Sequence, residues 1–128
     1  LANSQRIWSC ARELKGLRVP SAPSDQVHAA YKCYVFVEPD QLKSGWTRDR
    51  ILSEILARGV PCYSGSCSEV YLEKAFDGTA WRPSERLPVA RELGETSVMF
   101  LVHPTLHFSE IEKTCVVLSE VMTLATIG

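Results

Sequence analysis

A continuous apolar run near the end of the chain, from Ser97 to Val102, restricts the possible folds more than any other feature. Apolar and polar residues do not alternate along it, so it predicts a central strand that is covered on both faces. Pro104 has no N–H to donate to a sheet, and it holds His103 in an extended conformation. The run therefore predicts a buried strand that ends before Pro104.

Helices are predicted directly before and after this strand. The first begins at Pro88, whose missing N–H costs nothing in a first turn, and ends before Gly94, which takes the left-handed position. The second runs from Ser109 towards Thr126, and Ser109 forms a capping box with Glu112 at its start. The loop between the strand and this last helix should hold polar side chains firmly enough to face a ligand.

The remaining elements follow from periodicity and from turn residues. We expect a helix over residues 1–14, a strand over 31–37, a helix over 48–58, a short extended piece over 60–63 and a helix from 66 to about 77. Strands are few and helices flank them. The order predicts an α+β fold, in which a small, mostly antiparallel sheet has helices packed on one face.

Size and composition indicate one ordinary domain that spans residues 1–128, with 45% apolar and 23% charged residues. The formal net charge of −1 and the mixed charge pattern give no reason to expect nucleic acid or an anionic membrane as a partner. Five cysteines are an odd number, which favours a reducing compartment, and we expect a cytoplasmic protein. The chain starts inside a predicted helix without a capping residue, so we expect it to be cut from a longer protein.

The residues alone indicate no activity. Ser64-Gly65-Ser66 before a predicted helix can bind an anion, but it lacks the spacing of a P-loop and is more often a turn with a cap. Cys62 and Cys67 are too far apart for a CxxC redox pair. Glu69, Tyr71 and His103 can contact a polar ligand, although an exposed or structural role is the default for such residues.

Three pieces of the sequence, in order, resemble the C-terminal part of the DegT/DnrJ/EryC1/StrS aminotransferases, the pyridoxal-phosphate sugar aminotransferases of fold type I. His28-Ala-Ala-Tyr-Lys-Cys-Tyr-Val-Phe-Val37 resembles the His-x-x-Tyr-x-x-Tyr strand of the family. Residues 48–76 resemble its helix, Gly-Ile turn and loop ending in Ala-Phe. Leu87-Pro-Val-Ala-Arg-Glu-Leu-Gly and residues 97–111 resemble its Leu-Pro-Val-Ala-Glu motif, its strand ending in His-Pro and its final helix.

The resemblance implies the small C-terminal domain of a longer enzyme, whose large domain would lie upstream. In the family an upstream lysine holds pyridoxal 5'-phosphate, an amino acid such as glutamate donates the amino group, and a keto-sugar nucleotide accepts it, usually within a homodimer. The five lysines here lie outside the family's reactive-lysine setting, so this fragment should be inactive alone. They are Lys15, Lys32, Lys43, Lys74 and Lys113.

The chain departs from the family in one loop. Many members carry a His-Tyr pair there that is thought to line the sugar site, whereas this chain has Gly65-Ser66. We therefore expect the substrate to be contacted by local replacements, and His103 matches the family's His-Pro position. The substrate-binding candidates are Ser64, Ser66, Glu69, Tyr71 and His103. No residue of this chain is expected to be catalytic, to bind the cofactor or to bind a metal.

Two other functions compete with the aminotransferase domain. One is a stand-alone ligand-binding or dimerisation module with a ferredoxin-like sheet and no catalysis. The other is a thiol enzyme that uses Cys62 or Cys67. A coding sequence upstream of Leu1 for a large α/β domain with a cofactor lysine would favour the aminotransferase, and a start codon directly before Leu1 would favour the module.

Overall fold

The computed structural model describes residues Leu1–Ile127. It contains four α-helices and four strands among these residues, together with three short 3-10 turns. The helices and strands are, in chain order, α1 (Ala2–Arg12), β1 (Leu17–Arg18), β2 (Cys33–Val37), α2 (Arg48–Ala57), β3 (Cys62–Tyr63), α3 (Pro88–Thr96), β4 (Ser97–Phe100) and α4 (Phe108–Ala125).

The four strands form one antiparallel sheet in the order β1-β2-β4-β3. Strands β2 and β4 pair at its centre, with Cys33 opposite Phe100 and Phe36 opposite Ser97. All four residues of β4 are buried, which confirms the prediction of a central strand covered on both faces. The predicted α+β fold with a small antiparallel sheet is therefore confirmed.

The two faces of the sheet differ in their cover. On the inner face, β2 and β4 pack against α1, α2 and α4 to form the hydrophobic core. On the outer face, the guanidinium of Arg18 lies 4.5 Å from the centre of the Phe36 ring, and Glu92 of α3 lies 3.8 Å from Arg18. The inner side chains of the two central strands are almost inaccessible to solvent. They are Cys33, Val35, Val37, Val98 and Phe100.

Helix α4 buries the apolar stripe that its periodicity predicts, whereas α2 buries Ile51 and Ile55 of its predicted stripe and leaves Leu56 half exposed. The side chain of Thr47 accepts a hydrogen bond from the Arg50 N–H at the start of α2, and Gly59 has a φ of +73° after its end. Every residue of the predicted apolar stripe of α4 is buried. The stripe consists of Ile111, Cys115, Leu118, Val121, Met122 and Ala125. No helix in residues 1–127 is long and apolar enough to cross a membrane.

Two predicted helix ends were wrong. Helix α3 starts at Pro88 as expected, but it continues through Gly94 to Thr96. A Cβ at Gly94 would meet the side chain of Ser68, whose hydroxyl would have to rotate away. Helix α4 does not begin with a capping box of Ser109 and Glu112.

The start of α4 lies two residues earlier than the predicted capping box. His107 is the residue before the first turn, and its backbone N–H donates to the carboxylate of Glu110 at 2.8 Å. Glu112 instead pairs with Arg6 of α1 at 2.5 and 2.8 Å. Its carboxylate therefore joins two helices rather than capping one.

The helix predicted from Ser66 to about Asp77 does not form. This segment contains two 3-10 turns, Val70–Leu72 and Lys74–Phe76, and Glu69 does not cap a helix. The side chains of Ser66 and Glu69 make tertiary hydrogen bonds instead, and these are part of the candidate site.

Candidate functional site

A loop from Ser64 to Glu69 follows β3 and crosses the outer face of the sheet at Tyr34. Gly65 has a φ of +100°, and a Cβ at this position would lie 2.5 Å from Cε1 of Tyr34. Only glycine combines that backbone conformation with such close packing on a ring. The loop backbone therefore lies directly on the Tyr34 side chain.

Ser66 joins the loop to two residues of the β2 segment. Its hydroxyl oxygen accepts hydrogen bonds from the ammonium of Lys32 at 3.2 Å and from the hydroxyl of Tyr34 at 3.3 Å. The backbone N–H of Ser66 donates to the Tyr34 oxygen at 3.1 Å. Because Lys32 and Tyr34 are two residues apart, they lie on the same face of the extended chain.

The charge of Lys32 affects the neighbouring phenol. Burial acts to raise the pKa of Tyr34, but the hydrogen bonds with Ser66 and the nearby Lys32 ammonium outweigh it. The pKa of Tyr34 is therefore lowered from its ordinary value. The surroundings of Tyr34 and Ser66 thus favour negative charge.

The other side of the loop packs against α3 and β4. The hydroxyl of Ser97 donates to the carbonyl oxygen of Ser64 at 2.5 Å, and Ser68 lies against Gly94. Arg48, at the start of α2, donates to the carbonyl oxygens of Gly94 and Ser97 at 3.0 and 2.8 Å. The loop therefore packs against the region where α2, α3 and β4 meet.

A second hydrogen-bonded cluster fixes the end of the loop. The carboxylate of Glu69 accepts hydrogen bonds from the Tyr71 hydroxyl at 2.7 Å and from both Nε and Nη2 of Arg86. The Tyr71 oxygen in turn accepts the N–H of Leu87, next to the start of α3, at 2.8 Å. These contacts tie the loop to the segment that leads into α3.

The cluster shifts the ionisation of both acidic groups. Hydrogen bonds from Arg86 and then Tyr71 lower the pKa of Glu69 to about 2. Burial and the hydrogen bond to Glu69 raise the pKa of Tyr71. At neutral pH the cluster therefore contains a carboxylate, a guanidinium and a neutral phenol, and Glu69 is held by partners within the chain.

The loop borders a shallow cavity of about 380 Å³ on the surface. Hydroxyl groups, two carboxylates and one apolar side chain line it, which suits a polar ligand with several hydroxyl groups. The lining residues are Ser64, Gly65, Ser66, Cys67, Ser68, Glu69, Leu72, Glu73 and Gly94.

The structure groups four of the five predicted site residues. Ser64, Ser66 and Glu69 line the same cavity, and Tyr71 is bonded to Glu69. His103 makes other contacts: its Nδ1 lies 2.7 Å from the Thr105 hydroxyl, and its carbonyl oxygen accepts from Asn3 of α1 at 3.2 Å. These contacts fit a structural role at the turn.

Sequence reasoning missed three residues of this site, namely Lys32, Tyr34 and Arg86. The alternation of Lys32 and Tyr34 with the buried Cys33 and Val35 was a usable signal, because it places the polar pair together on the outer face. Arg86 lies in a segment without regular structure. Nothing in the local sequence links it to Glu69.

The cysteines do not form a reactive centre. Burial raises the pKa of the Cys62 thiol to about 11, which opposes the thiolate that a nucleophile requires. The exposed Cys67 donates its S–H to the carboxylate of Glu73 at 3.6 Å. In the described residues, no group of three or more His, Cys, Asp or Glu side chains could hold a metal ion.

No protein-family model matches the chain, and the search of curated proteins found no match. Solved structures do match. An aminotransferase from Psychrobacter cryohalolentis is 53% identical with a TM-score of 0.90, over 96% of this chain and 33% of that chain. DesV from S. venezuelae is 21% identical with a TM-score of 0.78, over 94% of this chain and 30% of that one.

A DegT DnrJ EryC1 StrS aminotransferase from Brucella abortus is also similar, at 20% identity and a TM-score of 0.72, over 91% of this chain and 28% of that one. The chain thus spans about a third of the length of these structures. The resemblance found in the sequence is confirmed, because the neighbours are aminotransferases that include members of that family.

Proposed function

We propose that this chain, whose fold is that of one part of the DegT/DnrJ/EryC1/StrS aminotransferases, is the C-terminal small domain of a pyridoxal-phosphate-dependent aminotransferase. The observation that carries the proposal is the 53% identity to the Psychrobacter aminotransferase along nearly the whole chain. The structures at about 20% identity support only the fold of this chain. The 53% identity to the Psychrobacter protein also supports the same kind of enzyme.

The proposed reaction transfers an amino group from an amino acid such as glutamate to a keto-sugar nucleotide. Pyridoxal 5'-phosphate supplies the electron sink for this chemistry, and a protein supplies position and electrostatics. The hydroxyl-lined cavity beside the loop supports a sugar as part of the substrate. In this proposal Ser64, Ser66, Glu69 and Tyr71 hold and orient the substrate.

In this proposal the cofactor is held by residues outside this chain. Four of its lysines are exposed, and the half-buried Lys32 donates to Ser66 on the outer face of the sheet. We therefore assign the reactive lysine and the cofactor pocket to a large domain outside these residues. Lys32 and the loop beside it would then contribute contacts to the substrate only.

The large domain is also the partner we assign to an exposed apolar surface. Several large apolar side chains between Val70 and Val89 are exposed, including Trp81 at 80% and Val89 at 65%. Several exposed large apolar side chains within one segment of the chain favour an interface there. Since the chain spans a third of its solved relatives, we propose that the large domain covers this surface in a homodimeric enzyme.

An absorbance experiment on the complete protein tests the proposed function. After loading with pyridoxal phosphate, addition of glutamate should shift the cofactor absorbance, and a keto-sugar nucleotide should restore it. A series of other amino acids serves as the control for donor choice. If no amino acid changes the spectrum and the gene encodes no large domain, the non-catalytic binding module is the better account.

A further inference from the structure

The hydrogen bonds around Ser66 and Tyr34 leave one hydroxyl proton unused. The Tyr34 oxygen accepts the N–H of Ser66, and the Ser66 oxygen accepts from the Lys32 ammonium. The two hydroxyl oxygens lie 3.3 Å apart, and only one of their two protons can lie between them. The other hydroxyl proton of the pair is therefore left for an acceptor outside this group.

Lys32 has donors to spare in the same place. An ammonium carries three N–H donors, and Ser66 receives one of them. Within residues 1–127, no carboxylate lies within 4 Å of the Lys32 ammonium, although its side chain is half-buried. A half-buried cation without an anionic partner favours a ligand that supplies one.

The surrounding charges determine which end of such a ligand lies near Lys32 and which end lies in the cavity. In the neighbouring cavity, Glu69 is neutralised by Arg86, and Glu73 accepts from Cys67. Among residues 1–127, the Glu73 carboxylate has no cation within 4 Å and therefore disfavours an anion inside the cavity, while the hydroxyl groups there suit a neutral polar part. This arrangement fits a ligand that has an anionic end near Lys32 and a hydroxyl-bearing part in the cavity.

We propose that Lys32 and Ser66, held in place by Tyr34, bind an oxyanion of the substrate. Lys32 supplies the charge, the hydroxyl pair of Ser66 and Tyr34 supplies the free proton, and Tyr34 also positions the loop by filling the space beneath Gly65. Within the proposed function, on which the identity of the substrate rests, the oxyanion is the carboxylate of the amino donor or the diphosphate of the sugar nucleotide. Lys32 is thus a residue that determines substrate specificity.

A titration of the 15N-labelled chain with inorganic pyrophosphate, and separately with glutamate, tests the site directly. The amide signals of Gly65 and Ser66 should shift with at least one of the two. The Lys32→Gln variant should weaken that binding about tenfold or more, since it removes a charge-assisted hydrogen bond. Lys32→Arg should restore part of it, and Lys15→Gln, which removes an exposed charge elsewhere, should bind as the unaltered chain does.

The two half-reactions of the complete enzyme distinguish the sources of the oxyanion. If the site binds the donor carboxylate, Lys32→Gln raises the half-saturating glutamate concentration and leaves the maximal rate nearly unchanged. If it binds the diphosphate, the same effect appears with the keto-sugar nucleotide. Unmoved Gly65 and Ser66 signals, or equal binding by Lys32→Gln, would overturn the site. An unaltered protein without transaminase activity would overturn the proposed function, and the titration would still decide the site.

Discussion

The two faces of β2 have different roles: the inner face stabilises the core, and the outer face carries side chains of the candidate site. Cys33, Val35 and Val37 point into the core and are at most 3% exposed. Lys32, Tyr34 and Phe36 alternate with them on the outer face, where they are half-buried and bonded to loops or covered by Arg18. The inner set is uniformly apolar, whereas the outer set carries a charge, a hydroxyl and an aromatic ring.

The magnitudes explain why this division works. Full burial of an aliphatic side chain contributes about 1.5–3 kcal/mol, whereas a typical hydrogen bond contributes a net 0.5–1.5 kcal/mol. The inner face therefore holds the strand in register whatever the outer face carries. Residues such as Lys32 and Tyr34 can be changed for function with little risk to the fold.

The strongest test of this comparison is removal of a large inner side chain. Phe100 on β4 is 1% exposed, so Phe100→Ala should lower the free energy of unfolding by about 3–5 kcal/mol. Denaturant unfolding measures the change. Val89→Ala, on the exposed side of α3, should stay within about 0.5 kcal/mol of the unaltered chain. Similar losses in the two variants would contradict the assignment of the core.

The next largest effect should come from Gly65, where the loop lies on the Tyr34 ring. Gly65→Ala adds a Cβ 2.5 Å from Cε1 of Tyr34 at a φ of +100°, and we expect a loss of about 2–3 kcal/mol. Gly78 also has a positive φ, of +70°, but no atom lies within 4 Å of an added Cβ. Gly78→Ala should therefore cost only about 1 kcal/mol in the same unfolding experiment. Equal costs would show that the ring does not confine the loop.

The ion pair of Glu69 should add a pH dependence to stability. The pKa of Glu69 in the folded chain is lowered to about 2 from its ordinary value of 4.5, so its contribution to stability is present above the higher value and is lost as the pH falls towards 2. Unfolding measured at pH 5 and pH 3 should show a smaller loss for Glu69→Gln than for the unaltered chain. Glu85→Gln serves as the control, because Glu85 is exposed and makes no ion pair among the described residues. An unchanged pH dependence in Glu69→Gln would contradict the pair.

The smallest effect is expected on the exposed side of α3. Arg91 and Glu95 form an i,i+4 ion pair at 2.8 Å, and both side chains are about half exposed. Arg91→Gln should change the free energy of unfolding by less than about 0.5 kcal/mol, because solvent and salt screen such pairs. Unfolding in low and high salt measures the difference. A loss comparable with that of Gly65→Ala would show that this surface pair is worth far more than its exposure implies.

Much of the fold was predictable from local patterns. The apolar run of β4 and the periodic stripe of α4 are strong signals, because burial of each element follows from its own residues. The predicted helix after Ser66 failed because its capping side chains serve distant partners: Ser66 bonds Tyr34 and Glu69 bonds Arg86. Such tertiary hydrogen bonds outweigh a local capping pattern, and nothing in the local sequence reveals them.

The candidate site was predictable only in part. Ser64, Ser66, Glu69 and Tyr71 were proposed from their place in the loop that departs from the family pattern, and they prove to be neighbours. His103 was proposed from its match to a motif, yet it bonds Thr105 and Asn3. The resemblance to aminotransferases came from the order of whole motifs, whereas the chemistry of single residues indicated no activity.

The short strands at the two edges of the sheet limit how this chain can meet other molecules. Strands β1 and β3 are two residues long, whereas an added strand usually pairs over about five or six residues. Short edge strands of this kind disfavour the addition of a further strand. Contacts with other molecules then rest on loops and side chains, and single substitutions on the surface can change the choice of partner while the architecture stays as it is.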